Sequence, residues 1–158
     1  MSQLSTSIDI DAPAETVWEV LTDFDSYPEW NGYTHIAGTP EVGATLVVSP
    51  GPKAGRLPTF KPTVLQADDG ELRWLGHLFV RGLFDGEHRF VVEDLGEGRS
   101  RLTQSETFSG ILVGVVNRLF GADTRRNFEA VNEALKARAE ALVASGVETG
   151  ADDTAPEV

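Results

Sequence analysis

Residues 85–108 read DGEHRFVVEDLGEGRSRLTQSETF. Two runs of strand-like character, 85–94 and 99–108, flank the glycine-rich separator LGEG at 95–98. So short a link between two such runs predicts an antiparallel hairpin. Side chains alternate across a strand, so His88, Phe90 and Val92 share one face, and Glu87, Arg89, Val91 and Glu93 share the other. In the second run Leu102, Gln104, Glu106 and Phe108 fall together, against Arg101, Thr103, Ser105 and Thr107. With the turn centred near 96–97, His88 lies opposite Ser105 or Glu106. The hairpin therefore has an apolar face that also carries an imidazole and a carboxylate. A buried, isolated charge is too costly, so Glu106 must be paired or neutral there, and His88 is its natural partner.

Outward from the hairpin, the texture stays β-like back to residue 34. Strands are expected at 34–38, 43–49, 59–67 and 71–79, separated by TPEVG, the Gly/Pro-rich SPGPKAGRLP, ADDG and VRGL. Residues 4–10 (LSTSIDI) alternate enough for a first strand. In 12–22, Pro13 suits a helix start, Glu15 complements its positive end, and Val17, Trp18 and Leu21 recur at helical spacing. FDSYPEWNG (24–32) reads as a short second helix or turn. Downstream, Phe128, Val131, Leu135 and Leu142 mark one stripe of a long amphipathic helix over about 123–143. The preceding ILVGVVNRLFG (111–121) is apolar nearly all round, so it is expected to be buried or to cover something. Glycine costs about 1 kcal/mol in a helix interior, so a break near Gly121 is expected. Residues 144–158 are small, acidic and aperiodic, an expected disordered tail on a single domain spanning 1–143.

This order predicts an α+β fold in which a strongly curved antiparallel sheet of about seven strands wraps around a long C-terminal helix, with two short helices after strand 1. One helix cannot fill the concave face of so wide a sheet, and the space left over becomes a ligand cavity. The 158 residues suit one domain with a real core. Without cysteine there are no disulfides, zinc–thiolate sites or thiol catalysis. The net charge of −12 opposes nucleic-acid phosphates and anionic lipid as partners. It reads first as a solvated acidic coat, and more sharply as an adaptation to a high-salt cytoplasm. No stretch has the length of a membrane span, and residues 1–11 lack the features of a signal peptide, so the expected location is cytoplasmic.

The residues also carry a family resemblance. IDIDAPAETVWEVLTDFDSYPEWN (8–31) resembles the opening of the SRPBCC superfamily, the START-like or helix-grip proteins. The likeness continues through LRWLG (72–76), GLFDGEHRF (82–90), RLTQSETFSGIL (101–112) and ADTRRNFEAVNEALKARAE (122–140). It implies the helix-grip fold and relatives labelled polyketide cyclase/dehydrase-like or lipid-transport-like. His88 matches a histidine in the relatives' F-x-G-x-H-x-F pattern, here Phe84, Gly86, His88 and Phe90. The resemblance also implies a cavity lined by some of the large apolar residues, with Trp30 near its entrance and Trp74 on the sheet. The expected lining is Trp30, Trp74, His88, Phe90, Gln104, Glu106, Phe108, Val116, Phe120 and Phe128.

Three functions are open at this level. The first is a carrier or sequestering module for a small hydrophobic ligand, lipid- or polyketide-like, oriented by His88, Glu106 and Gln104. The second is a cyclase or dehydratase using His88 and Glu106 as acid and base. The third is a co-chaperone-like interaction module. No cofactor or metal is expected, since His77 alternates away from Trp74 and no H-E-x-x-H cluster occurs. The loop PGPKAGRLP (50–58) lacks a phosphate-loop pattern and is expected to form a mobile hairpin tip at the cavity mouth, where Arg56 could meet an acidic ligand but, as is common for arginine, could equally stay solvated. Ser-based hydrolysis lacks its G-x-S-x-G elbow, and no dinucleotide fingerprint occurs.

Overall fold

A computed structural model describes residues 2–55, 57–78 and 80–146. The chain runs β1 (Ser2–Ile10), α1 (Ala14–Thr22), a 3₁₀ helix (Phe24–Glu29), β2 (Thr34–Ala37), β3 (Val47–Pro50), β4 (Thr63–Asp68), β5 (Glu71–Leu78), β6 (Phe84–Gly96), β7 (Arg99–Ser109) and α2 (Val113–Ala144). Five antiparallel strands form the main sheet in the order β1-β7-β6-β5-β4. The other two, β2 and β3, make a small sheet of their own. The expected seven strands are thus split five and two, because residues 43–49 and 59–62 run too irregularly for a continuous ladder. Isolated bridges at Thr45–Thr63 and Val48–Phe60 carry the curvature from one sheet to the other.

Turn chemistry sets the register. Between β4 and β5, Asp69 and Gly70 both have positive φ, 50° and 76°. Such a two-residue Asp-Gly turn suits the twist of a hairpin. In the β6–β7 hairpin His88 lies opposite Glu106 and Phe90 opposite Gln104. Across β5, Trp74 faces His88 and Gly76 faces Gly86; across β1, Thr6 faces Gln104 and Leu4 faces Glu106. Even-numbered residues of these four strands therefore point inward together. The odd-numbered ones carry ion pairs on the convex face, including Arg101–Asp9 at 2.7 Å, Arg73–Glu87 at 3.2 Å and Arg89–Glu71.

The C-terminal helix corrects an expectation. It runs unbroken for 32 residues through Gly114 and Gly121. The space beside both glycines is open, so nothing forces a bend, and the two propensity costs are outweighed by cooperative helix propagation and packing. The chain turns instead at Gly110, whose φ of 114° is closed to most side chains and whose missing Cβ would sit 2.5 Å from the Leu83 carbonyl oxygen. The helical stripe reaches Ala144, and the expected tail beyond residue 146 lies outside the described residues.

Two apolar clusters form. The larger joins α1, the middle of the sheet and the C-terminal half of α2 through Ile10, Val17, Leu21, Leu72, Leu102 and Leu135, all fully buried. The smaller gathers Phe84, Phe108 and Val113 with Leu4, Leu78 and Val116 at the other end. No helix among the described residues is long and apolar enough to cross a membrane.

Candidate ligand cavity

Each inner strand row switches character between the two clusters. On β5 the row runs Trp74, Gly76, Leu78, and on β6 it runs Phe90, His88, Gly86, Phe84. On β7 it runs Leu102, Gln104, Glu106, Phe108, and on β1 Ile8, Thr6, Leu4. Large apolar residues stand at both ends, while small or polar ones occupy the middle. Neither member of the facing pair Gly76–Gly86 brings a side chain, and the places their Cβ atoms would take are approached most closely by Pro62 and the Glu106 carboxyl. With α2 as roof, this gap is a cavity of about 350 Å³ with predominantly apolar walls. That is within the range of small-molecule sites, roughly 300–1,000 Å³, and far above what one water needs.

A single polar chain crosses the cavity wall. His88, 8% exposed, stands among Trp74, Phe90 and Phe128, with ring centroids 5.1, 4.5 and 4.9 Å away. Its Nδ1 is 3.2 Å from Glu106 Oε2 and its Nε2 is 2.9 Å from Gln104 Oε1. The Gln104 amide nitrogen donates to Asn132 Oδ1 at 2.8 Å and to the Phe128 carbonyl at 3.3 Å. Asn132 in turn donates to Thr6 Oγ1 at 2.9 Å. Buried polar groups need partners, and this chain supplies them from β1, β6, β7 and α2 at once. Its outer end is different. The second oxygen of Glu106, Oε1, lies over Gly86, where an added Cβ would come within 2.5 Å of it. It has no protein hydrogen-bond partner among the described residues.

Trp74, His88, Phe90, Gln104, Glu106, Phe108, Val116, Phe120 and Phe128 all line this cavity. Trp30 does not, which corrects the expectation that placed it at the entrance. The 3₁₀ helix sends Phe24 and Tyr27 inward, three residues apart, and ends at Glu29. Trp30, with φ −139°, leaves that path. Its ring packs edge-on against Tyr27 at 4.7 Å and lines a separate pocket with Arg138 and Leu142. Asn31 takes the wall position instead. Its Oδ1 caps the amides of Tyr33 and Thr34 at 2.9 Å each, and its buried Nδ2 has no partner among the described residues. Tyr27, fully buried, donates to the Leu21 carbonyl, and burial first, then Asp23, pushes its phenol well above the usual range.

The loop after β3 is the one expected at the cavity mouth. Pro50, Leu57 and Pro58 do line the cavity. The first part of the loop is hydrogen-bonded to its surroundings through Gly51 N–H to the Tyr33 carbonyl, Lys53 N–H to the Gly32 carbonyl and Asn127 Nδ2 to the Ala54 carbonyl. Arg56 and Phe79 lie outside the described residues. His77 pairs with Asp85 at 2.7 Å, away from the cavity. Burial raises the Asp85 carboxyl, but the bonds from His77 and the Gly82 amide outweigh it and hold it below its usual value.

Thr6, Asn31, Gly76 and Asn132 escaped the sequence reading, and Gly86 entered it only as part of the F-x-G-x-H-x-F pattern, without its place in the cavity. For Asn132 a signal was present, since a polar residue sits between Val131 and Leu135 on the buried stripe. For the glycines it was not, because their pairing depends on a register the sequence does not print.

The family model for polyketide cyclase / dehydrase and lipid transport matches residues 1–140. The chain belongs to this family. Among curated proteins no sequence matches it. Among solved structures, the Zhui aromatase/cyclase from Streptomyces sp. R1128 superimposes with a TM-score of 0.72 at 19% identity, covering 94% of this chain and 99% of that one. A START superfamily protein from Mycobacterium smegmatis gives 0.67 at 21% identity, over 89% and 98%. Norcoclaurine synthase from Thalictrum flavum, solved with dopamine and hydroxybenzaldehyde, gives 0.66 at 17%, over 94% and 89%. At these identities the likeness is one of fold, and for this member of the polyketide cyclase / dehydrase and lipid transport family it makes the architecture START-like.

Proposed function

We propose that this family member binds one small, largely apolar molecule in the cavity between sheet and α2, as a carrier or sequestering module. The observation that carries the reading is the interrupted core. A protein selected only for stability would fill a 350 Å³ gap, since unfilled volume costs about 24 cal/mol per Å³. Here two glycines face each other in its floor instead. Burying apolar ligand surface against Trp74, Phe90, Phe120 and Phe128 would contribute roughly 25 cal/mol per Å² before the costs of association. The polar chain would orient the ligand rather than hold it.

The test is native mass spectrometry of the purified chain, with extraction and identification of anything retained, followed by titration of the emptied protein with N-phenyl-1-naphthylamine. A retained apolar molecule, or saturable probe binding at one site, is the expected result. Neither retained mass nor saturable binding would sink the reading. A second reading, acid–base catalysis of the cyclase or dehydratase type, draws on the imidazole–carboxyl pair at the cavity wall. Glu106→Gln separates the two: turnover of any identified substrate collapses under the second reading while its binding persists.

A further inference from the structure

Taking the cavity as a ligand site, we infer that it selects a ligand presenting a hydroxyl or N–H donor, which binds to the free oxygen of Glu106. Hydrogen-bond polarity, read from one end of the chain to the other, leads to this. The Phe128 main-chain carbonyl can only accept, so the group 3.3 Å from it must be the amide nitrogen of Gln104, not its oxygen. That fixes the Gln104 oxygen toward His88. An amide oxygen has no proton to give, so His88 Nε2, 2.9 Å away, carries one and donates it.

What remains is Nδ1, 3.2 Å from Glu106 Oε2. Two lone pairs do not face each other at that distance without repulsion, so one proton lies between them. Whether it rides on Nδ1 or on Oε2, the consequence for the other carboxyl oxygen is the same. Oε1 carries no proton and can only accept. It lies over Gly86 at the cavity wall, without a protein donor among the described residues. A ligand hydroxyl or N–H meets it well; an ether, ester or ketone oxygen there sets lone pair against lone pair, and an anion is repelled. The glycine is part of the device, because any side chain at 86 displaces the accepting oxygen. Thr6, Asn132 and Gln104 touch no ligand in this scheme, and they act as positioning residues that fix the polarity.

A matched pair of probes tests this: 2-naphthol and 2-methylnaphthalene, of nearly equal size and differing in the donor, titrated into the emptied full chain by tryptophan fluorescence and calorimetry. In an apolar pocket the hydroxyl is a handicap, since it loses its bond to water. The wild-type protein is expected to bind 2-naphthol at least tenfold tighter than 2-methylnaphthalene. Glu106→Leu should reverse that order. Gly86→Ala, whose backbone needs no positive φ, should also lose the preference, and it keeps the test alive if the leucine variant folds poorly. Glu106→Gln should keep the preference, because its amide nitrogen can donate to Nδ1 and leave a carbonyl oxygen over Gly86.

Equal affinities in the wild type, a preference surviving in Glu106→Leu, or one lost in Glu106→Gln each overturns the inference while leaving ligand binding intact. Failure of both probes to bind, together with an empty protein in the mass spectrum, overturns the ligand-site reading itself.

Discussion

From Phe128 to Ala144, α2 lies on the sheet and on α1; from Val113 to Asn127 it stands over a space. The two halves belong to one unbroken helix, and both carry large apolar residues. In the first, Leu135 and Ala139 are fully buried and meet the main core. In the second, Val116 and Phe120 face the cavity while Val115 and Leu119 stay 58% and 67% exposed. The difference comes from what the sheet offers below each half. Leu72 and Leu102 rise to meet the C-terminal half, whereas Gly76 and Gly86 send no side chain up to the N-terminal half. Apolar content alone therefore does not say which part of a helix is core and which is wall.

The comparison breaks most visibly at Leu135. Leu135→Ala should cost about 2–5 kcal/mol in urea unfolding, as buried leucine truncations do. Phe120→Ala should cost under about 1 kcal/mol, because one side of the ring already faces empty volume, yet it should change the affinity of N-phenyl-1-naphthylamine. Comparable unfolding losses for both would mean that the cavity is closed in solution by packing of the N-terminal half.

Gln104→Leu addresses the seam between the halves. Gln104 is 2% exposed and bonds His88, Asn132 and the Phe128 carbonyl. A leucine there orphans a buried imidazole N–H and the oxygen of Asn132, at about 1–3 kcal/mol each, so the loss approaches that of Leu135→Ala only if both stay dry. Entry of water from the cavity would hold it to roughly 1–2 kcal/mol, and that smaller loss is the expected outcome.

These residues also show what was legible beforehand. The alternation of 85–94 and 99–108 placed His88 opposite Glu106 with one ambiguity of a single residue, because a short glycine turn leaves a hairpin little freedom. The strand–helix–sheet–helix order was equally open to reading from periodicity. The cavity floor was not. It needs Gly76 opposite Gly86, a pairing between β5 and β6 that no tight-turn signal in the sequence fixes. Trp30 misled for a related reason: one residue past the end of a 3₁₀ helix, its direction depends on a terminal φ rather than on any periodicity.

Acid should act on the C-terminal half first. Glu140 is held below its usual 4.5 by its bond to Lys136 and then by the Asp11 amide, and Asp9 below 3.8 by Arg101 despite some opposing desolvation. A carboxyl whose folded value is depressed stabilises the fold above its unfolded value and loses that contribution as pH falls through the folded one. Both groups fasten the α2 C-terminal half or its neighbouring strand β1. The melting temperature should thus be flat above about pH 5 and decline below about pH 4, with amide exchange quickening first around residues 136–144. A decline already under way above pH 5 would mean that these two carboxyls are not what acid removes.

Salt should have the smallest effect, and its sign is informative. At net −12 the chain repels itself, and raising ionic strength shortens the Debye length from about 10 Å at 0.1 M to about 3 Å at 1 M. The surface ion pairs oppose this gain, since screening weakens them too, but exposed pairs contribute only about 0–1 kcal/mol each. Within α2 the charges are uneven: residues 113–127 hold three arginines and one aspartate, while 128–144 hold three glutamates against one lysine and one arginine. Repulsion from the acidic remainder of the chain therefore falls on the C-terminal half, the half that is packed, and relief of it appears as global stability. The melting temperature in 2 M KCl should exceed that in 50 mM KCl by a few degrees, while probe affinity in the cavity barely moves. A fall in melting temperature would mean that the convex-face pairs outweigh the net charge, and would remove the high-salt reading of the acidic surface.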